Sequence, residues 1–252
     1  MELPAPKVKS LYKAIKLLDC FTAEHPERGV KELAEMTGML KSSVYNILST
    51  FQLCGIIQKS EGSGKYQLGM KILELGNVVL NHDEMKLVVK PFMDRLAEEC
   101  QETVYLARPA GTEIIYIESA YPKGKLFARM IAGVKAEMFC TGIGKAMLAY
   151  LGEDTVREVV AAGIKSFTPY TLINEEALRR DLEETRRRGY AIDNMEHEYG
   201  IRCVGVPLRN YRGEVIAGLS ISGPSLRVMD ERVTFFAEKL NNAAAELQSL
   251  LK

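Results

Sequence analysis

Four polar side chains near the end of the chain are spaced so that a folded sheet could bring them to one face. Asp193 ends one β-rich run, and Cys203 lies in the run that follows the acidic turn around Glu196. Ser220 and Ser222 are two residues apart in a third run, so both side chains point to the same side of a strand. An acid, a thiol and two hydroxyls on adjoining strands could line one pocket for a polar small molecule.

A catalytic or metal site is the main alternative for this segment. Cys203 and His197 could act as a nucleophile and its general base. A metal could be held by the acidic and imidazole groups of the turn, namely Asp193, Glu196, His197 and Glu198. Neither set has a spacing typical of catalysis or of a metal centre. We therefore expect no enzymatic activity and no cofactor, and we assign no metal ligands. A metal at the acidic turn, Glu196 to Glu198, stays an open alternative that elemental analysis would settle.

A glycine-rich segment over residues 140–145 opens a predicted helix and is a second candidate for ligand binding. Its backbone N–H groups and the positive end of the helix could hold an anion. The spacing of its glycines and lysine is not that of a nucleotide-binding P-loop. Judged by its residues alone, a tight strand-to-helix turn without a ligand explains the segment equally well.

The front part of the chain carries polar side chains of the type that read DNA. In the third predicted helix, apolar residues recur at helical spacing and form one inward stripe, which consists of Leu40, Val44, Ile47, Leu48 and Phe51. The outer face then presents basic and hydrogen-bonding side chains, which are Lys41, Ser42, Ser43, Tyr45, Asn46 and Ser49. Side chains of these kinds bind phosphates and base edges in the major groove.

The elements around that helix complete a winged helix-turn-helix. A short turn at residues 37–39 joins it to the preceding helix, as in a helix-turn-helix whose second helix enters the major groove. Two β-runs flanking residues 61–64 predict a hairpin, the wing, with Lys59 on one arm and Lys65 on the other. The alternative is a packing module that binds a protein partner instead of DNA, because many small helical domains show the same apolar stripe.

Periodicity divides the chain into three parts, which are residues 1–69, a linker helix in 70–83 and a larger domain at 84–252. The larger domain is predicted to begin with a helix that buries Leu87, Val88, Phe92, Met93 and Leu96. Strands are then predicted at 104–108, 114–119 and 126–130, and helices at 144–151, 154–162 and 175–188. The strands that carry Asp193, Cys203 and Ser220 follow, and a helix over 230–252 closes an α+β fold.

Several of these segments resemble the IclR family of bacterial transcriptional regulators. The match comprises residues 10–11, 14, 17–18, 33–34, 37–38 and 41–45 near the N-terminus, and 193–194, 196, 200–204, 207 and 220–224 near the C-terminus. The resemblance implies a winged helix-turn-helix joined by a linker helix to a GAF-like effector-binding domain. It implies an effector cup lined by Asp193, Cys203, Ser220 and Ser222. A further match at 141 and 144–146 implies that Gly142 and Ile143 lie in the same cup.

The chain departs from the family pattern at four positions. Asn46 stands where the family commonly has Arg, and Leu40 where it often has Pro. Glu137 and Phe139 stand where it often has Pro and His. The first pair predicts a different preference for DNA sites, and the second pair predicts a cup of different polarity.

Composition bounds the function. Of the 252 residues, 47% are hydrophobic, which suits a soluble protein with one or two proper cores. Lys plus Arg and Asp plus Glu both total 33, so the net charge gives no sign of a DNA partner. The five scattered cysteines contain no C-x-x-C pair and fit a reducing cytoplasm. We expect neither a signal peptide nor a membrane span, since no apolar run is long enough.

We therefore predict a cytoplasmic transcription regulator that acts as a homodimer or a homotetramer. Its partner is predicted to be a palindromic operator in double-stranded DNA. A small metabolite, a small organic acid by the chemistry of the cup, is predicted to bind the C-terminal domain and to set the affinity for that operator.

Overall fold

The computed structural model describes residues 6–124 and 131–251. The chain forms two compact units that meet in sequence between His82 and Asp83. No helix in the described part of the chain has both the length and the apolarity needed to cross a membrane.

The first unit contains four helices and one hairpin in the described residues. In order they are α1 (Lys9–Leu18), α2 (Val30–Thr37), α3 (Lys41–Leu53), β1 (Ile57–Lys59), β2 (Tyr66–Leu68) and α4 (Met70–Asn81). The Glu32 carboxylate accepts the Gly29 N–H at 2.7 Å and so caps the start of α2. Gly38, in the left-handed region with φ 67°, ends α2, so that α3 starts after a short turn.

The core of this unit contains most of the apolar stripe predicted for α3, but not its first residue. Val44 and Leu48 are fully buried, and Ile47 and Phe51 pack beside them. Leu40 is 75% exposed, because it precedes the first turn of α3 in extended backbone and points away from the stripe. Lys41, Ser42 and Ser43, which precede Val44 in α3, are exposed and take no part in the core.

The second unit contains five helices and six strands in the described residues. They are α5 (Glu84–Cys100), β3 (Thr103–Ala110), β4 (Glu113–Ala120), β5 (Lys135–Glu137), α6 (Gly142–Leu148), α7 (Glu153–Ala162), α8 (Glu175–Arg188), β6 (Ala191–Asn194), β7 (Ile201–Arg209), β8 (Val215–Pro224) and α9 (Asp230–Gln248). The strands form one antiparallel sheet in the order β5-β4-β3-β8-β7-β6.

The two faces of this sheet bury different cores. Helices α5 and α9 cover one face, where Leu219 and Ile221 of β8 are fully buried. Helices α6, α7 and α8 share the other core, with Leu178 and Leu182 among its buried residues. Since side chains alternate along a strand, Ser220 and Ser222 face away from the first core, on the side of α6.

Several predicted details of this unit were wrong. In α5, Met93 and Leu96 are buried as predicted, and Val88 and Phe92 pack against the same core. Leu87 is 69% exposed, contrary to the prediction, and Met85 and Val89 are buried instead. Helix α9 ends at Gln248, and Leu250 is 52% exposed. The short strand β5 was not predicted. The predicted strand at 126–130 lies outside the described residues.

Candidate functional site

The N-terminus of α6 lies against the centre of the sheet. A Cβ on Gly205 of β7 would stand 2.4 Å from the Gly142 carbonyl oxygen, and one on Gly218 of β8 would stand 2.7 Å from Ile143 Cγ1. Only residues without a side chain permit so close an approach. These two glycines therefore let α6 bring Gly142 and Ile143 beside the polar side chains of β7 and β8.

A cavity of about 140 Å³ opens between α6 and the sheet. All six residues predicted for ligand binding line it, and they are Gly142, Ile143, Asp193, Cys203, Ser220 and Ser222. Strand register explains how: Asp193 pairs with Cys203, Cys203 pairs with Ser222, and Ser220 pairs with Gly205. Residues far apart in sequence thus come together because three neighbouring antiparallel strands align them.

Other residues that line the cavity were not predicted from the sequence. They include Tyr105, Tyr116 and Lys135. The cavity is also lined by Thr141 of the glycine-rich segment and by His197 and Glu198, which the sequence offered only as catalytic or metal-binding alternatives. Tyr105 pairs with Ser220 across β3 and β8, and its ring lies 5.4 Å from that of Tyr116, centroid to centroid. The alternation of side chains along β3 could have placed Tyr105 on the cavity side of the sheet. Nothing in the local sequence marked Lys135, because β5 itself was not predicted.

Cys203 is a protonated thiol in a hydrogen-bonded setting, which is unsuited to nucleophilic catalysis. Its sulfur lies 3.0 Å from Ser222 Oγ. Burial, together with the charge of Asp193, raises the pKa of the Cys203 thiol well above its usual range. A nucleophilic cysteine needs the opposite shift. His197, the base suggested from sequence, stacks on Phe167 with 5.3 Å between ring centroids.

Asp193 is a buried carboxyl group in the cavity wall. It is 2% exposed, and its Oδ1 accepts the Glu196 N–H at 2.7 Å. Burial raises the pKa of Asp193 to about 6, although this hydrogen bond and the positive charge of Lys145 act in the other direction. Near neutral pH the group is thus close to its titration range and is able to accept or donate a hydrogen bond.

The acidic turn is partly buried. Glu196 is 4% exposed and bonds to Lys145 Nζ at 2.5 Å, whereas Glu198 is exposed and lines the cavity. Over residues 6–124 and 131–251, no three His, Cys, Asp or Glu side chains gather as a metal site.

The outer face of α3 presents the predicted DNA-contacting side chains. Lys41, Ser42, Ser43, Tyr45 and Asn46 are exposed, and Ser49 is partly buried. The first turn of α3 contains no acidic residue, so the positive end of the helix dipole is not offset there. This end of α3 is chemically suited to phosphate and base contacts.

The two lysines of the wing lie in different surroundings, although the sequence predicted the same role for both. Lys59 is exposed, with Nζ 5.5 Å from the centroid of the Tyr66 ring. Lys65 Nζ lies 3.1 Å from Glu32 Oε1, in an ion pair with α2. The wing is also tied to Glu27, which accepts hydrogen bonds from Ser60 and Ser63.

A winged helix-turn-helix followed by a sheet domain with a polar cavity defines a DNA-binding regulator with a ligand-sensing domain. Residues 10–61 match the IclR helix-turn-helix domain, and residues 77–249 match the C-terminal domain of the bacterial transcriptional regulator IclR. The chain belongs to the IclR family of bacterial transcriptional regulators. It is accordingly a transcription regulator with a DNA-binding helix-turn-helix and an effector-binding C-terminal domain.

Individual relatives match along nearly the whole chain. The HTH-type transcriptional regulator XynR of Escherichia coli K12 is 34% identical over 247 residues, which cover 98% of each chain. The transcriptional repressor IclR of the same strain is 32% identical over 96% of this chain and 89% of that one. The crystal structure of an IclR transcriptional regulator from Alicyclobacillus acidocaldarius superposes with a TM-score of 0.83 at 26% identity, covering 96% of this chain and 98% of that one.

Proposed function

We propose that α3 reads an operator sequence in the major groove and that a small hydroxy- or keto-acid in the cavity changes the affinity for that operator. The observation that carries this proposal is the convergence of Asp193, Ser220, Ser222 and the start of α6 on one cavity. The exposed polar face of α3 supports the DNA contacts.

The donors and acceptors of the cavity support this class of effector. The hydroxyls of Ser220 and Ser222 and the N–H groups at the start of α6 suit a carboxylate or keto oxygen. Asp193 suits a hydroxyl donor on the same molecule. Lys135 brings a positive charge to the cavity wall, where Glu113 pairs with it at 2.6 Å. A volume of about 140 Å³ favours a short-chain acid.

Ser220→Ala and Ser222→Ala are each expected to weaken binding of the acid by about tenfold or more. A hydrogen bond to a charged group contributes roughly 1.5–3 kcal/mol, and the variant loses it. The measurement is calorimetric titration with a panel of short-chain hydroxy- and keto-acids, from which a binder is first chosen by thermal shift. Ser225→Ala, outside the cavity lining, is the matched control. Unchanged affinity in both cavity variants would remove the effector from this position.

Lys59→Ala is expected to weaken binding to all DNA sequences alike. It should also reduce the slope of log K against log salt concentration by about 0.9, the value for the loss of one phosphate contact. Lys65→Ala is expected to have a smaller effect, because Glu32 already neutralises that ammonium group in the free protein. Fluorescence anisotropy at several salt concentrations measures both slopes. A larger loss of slope for Lys65→Ala than for Lys59→Ala would contradict this assignment.

We further propose that the protein acts as a homodimer or a homotetramer, in the cytoplasm, on a palindromic operator. Helix α4 supports this because it has no buried residue and exposes Leu73, Leu75, Val78 and Val79. A second copy would cover such an apolar surface. Two copies would place their α3 helices on half-sites about 34 Å apart, or a multiple of that distance.

The proposed function is tested by measuring operator and acid affinities in both orders. The DNA probe is the fragment upstream of the protein's own coding region. Coupling must be reciprocal, so the acid must change operator affinity by the same factor as the operator changes acid affinity, about 1–3 kcal/mol in such systems. Asp193→Ala should remove this coupling and leave acid-free DNA binding intact. An acid that binds tightly in the cavity without altering operator affinity in the unmutated protein would refute the sensor proposal.

A further inference from the structure

A group of three charges, two of them buried, lies beside the effector cavity. This charge cluster consists of Lys145 on α6, Asp181 on α8 and Glu196 in the β6–β7 turn. Lys145 is fully buried, and its Nζ lies 2.8 Å from Asp181 Oδ2 and 2.5 Å from Glu196 Oε1. Lys145 follows Gly142 by one helical turn, so the helix that forms one wall of the cavity also carries the cation of the cluster.

Glu196 belongs to the same short turn as Asp193. Its N–H donates to Asp193 Oδ1 at 2.7 Å, and its Oε1 lies 3.4 Å from the N–H of Asn194. Met195 between them has φ 63°, a left-handed conformation that a residue with a side chain adopts at a cost. A turn of this kind persists only where its surroundings hold it.

Contacts from two other segments hold the turn. Thr168 Oγ1 donates to the carbonyl of Met195, and Thr171 Oγ1 donates to that of Glu196, both at 2.6 Å. These bonds fix the backbone from the side of the loop before α8. Lys145 fixes the Glu196 side chain from the side of α6.

The electrostatics of the cluster make Lys145 necessary to that arrangement. Burial raises the pKa of Glu196 to about 7, against the attraction of Lys145. Burial also opposes the charge on Lys145, yet the carboxylates of Glu196 and Asp181 outweigh it and raise the pKa of the amine. If the ammonium were removed, Glu196 would be a buried acid without its counter-ion, which favours its movement towards water.

We propose that Lys145 is a positioning residue of the effector site: by binding Glu196 it fixes the turn at 193–196 and thereby holds the Asp193 carboxyl in the cavity wall. The inference rests on the proposed function only in that Asp193 is taken to contact the effector. The geometry of the turn is testable in the full-length protein without any effector, so failure of one proposal is distinguishable from failure of the other.

Cys203 is a built-in reporter for the turn. It pairs with Asp193 in the β6–β7 register, and the Asp193 carboxyl together with burial keeps its thiol protonated. Cys100 is the internal reference, because it is fully buried in the core on the other face of the sheet. Alkylation by iodoacetamide, followed at each cysteine by peptide mass spectrometry, measures both sites in one sample.

Lys145→Met is expected to raise the alkylation rate of Cys203 by about tenfold or more, while that of Cys100 stays within about threefold. A displaced turn opens the Cys203 thiol to water and also moves the Asp193 charge away, so both causes of its raised pKa are weakened. Glu196→Gln keeps a hydrogen-bond acceptor for Lys145 and should leave Cys203 within about threefold. Asp181→Asn is the matched control in the same cluster, and it too should leave Cys203 little changed because Asp181 lies on α8 and not in the turn.

Two results would overturn the proposal. An unchanged Cys203 rate in Lys145→Met would show that the turn holds Asp193 without the lysine. A parallel rise at Cys203 and Cys100 would show that Lys145 stabilises the whole domain rather than the turn. If Lys145→Met does not fold, Glu196→Met takes its place with the same expectations, because Lys145 then keeps Asp181 as its partner.

Discussion

Asp193→Asn is expected to raise the free energy of unfolding by on the order of 2 kcal/mol at pH 8, with the gain shrinking as the pH falls towards 4. Burial raises the pKa of Asp193 from 3.8 to about 6 in the folded protein. A raised pKa means that the folded state binds the proton more tightly than the unfolded state. The contribution of protonated Asp193 to the stability of the folded state is therefore fully present below the unfolded pKa. It is lost as the pH rises through about 6. Asn cannot ionise, so the variant avoids this loss.

Urea unfolding at several pH values between 4 and 8 measures the effect. Asn at this position still accepts the Glu196 N–H through its own Oδ1, so the turn should be retained. Glu198→Gln, an exposed acid on the rim of the same cavity, is the control and should change stability by less than about 0.5 kcal/mol at every pH. If Asp193→Asn were destabilised at pH 8, the carboxylate would have to be stabilised by the fold, contrary to its burial. A gain in stability together with a loss of effector response is typical of a functional residue.

Replacing Ser43, Tyr45 and Asn46 together by Ala is expected to lower the affinity for the operator by about 100-fold or more. Each good contact to a base edge discriminates by roughly 1–3 kcal/mol, and the variant removes three candidates for such contacts. All three side chains are exposed on α3, so the helix should fold normally. Binding to unrelated DNA should change by less than about threefold, because phosphate contacts supply that term.

Competition of operator and unrelated DNA for the labelled protein measures this ratio. Gln52→Ala is the matched control: it is exposed on the same helix, but towards the C-terminal end, away from the N-terminal end that we propose enters the groove. It should leave the ratio of specific to unrelated binding unchanged. Specific binding that survives the triple substitution would show that α3 does not read the bases.

Local patterns in the sequence predicted the elements because those patterns reflect which face of an element is buried. The spacing of Val44, Ile47, Leu48 and Phe51 placed α3 correctly, and the burial of Val44 and Leu48 follows from it. The helical period did not predict correctly which residues are buried near the starts of helices. Leu40 and Leu87 have the right residue type for the core, but one sits before the first turn and the other on the outer face of α5.

The convergence of the cavity residues was partly readable from the sequence. The two-residue spacing of Ser220 and Ser222 fixes a common face in any strand. Their meeting with Asp193 and Cys203 required the antiparallel register of β6, β7 and β8, and the resemblance to a family supplied that expectation. The approach of α6 to within contact of Gly205 and Gly218 is a tertiary fact with no local signal.

By itself, the sequence determined the winged helix-turn-helix, the α+β class of the second unit and the candidate effector residues, since these follow from period, turn chemistry and motif. Only the tertiary structure decided whether a charged side chain is buried, paired or exposed, because its neighbours in space are distant in the chain. Glu196 was a candidate metal ligand by its sequence, but it is buried against Lys145, 51 positions earlier. Lys65 looked like a free wing cation and is paired with Glu32, 33 positions earlier. Desolvation and Coulomb attraction depend on distance in space, and no local pattern records that distance.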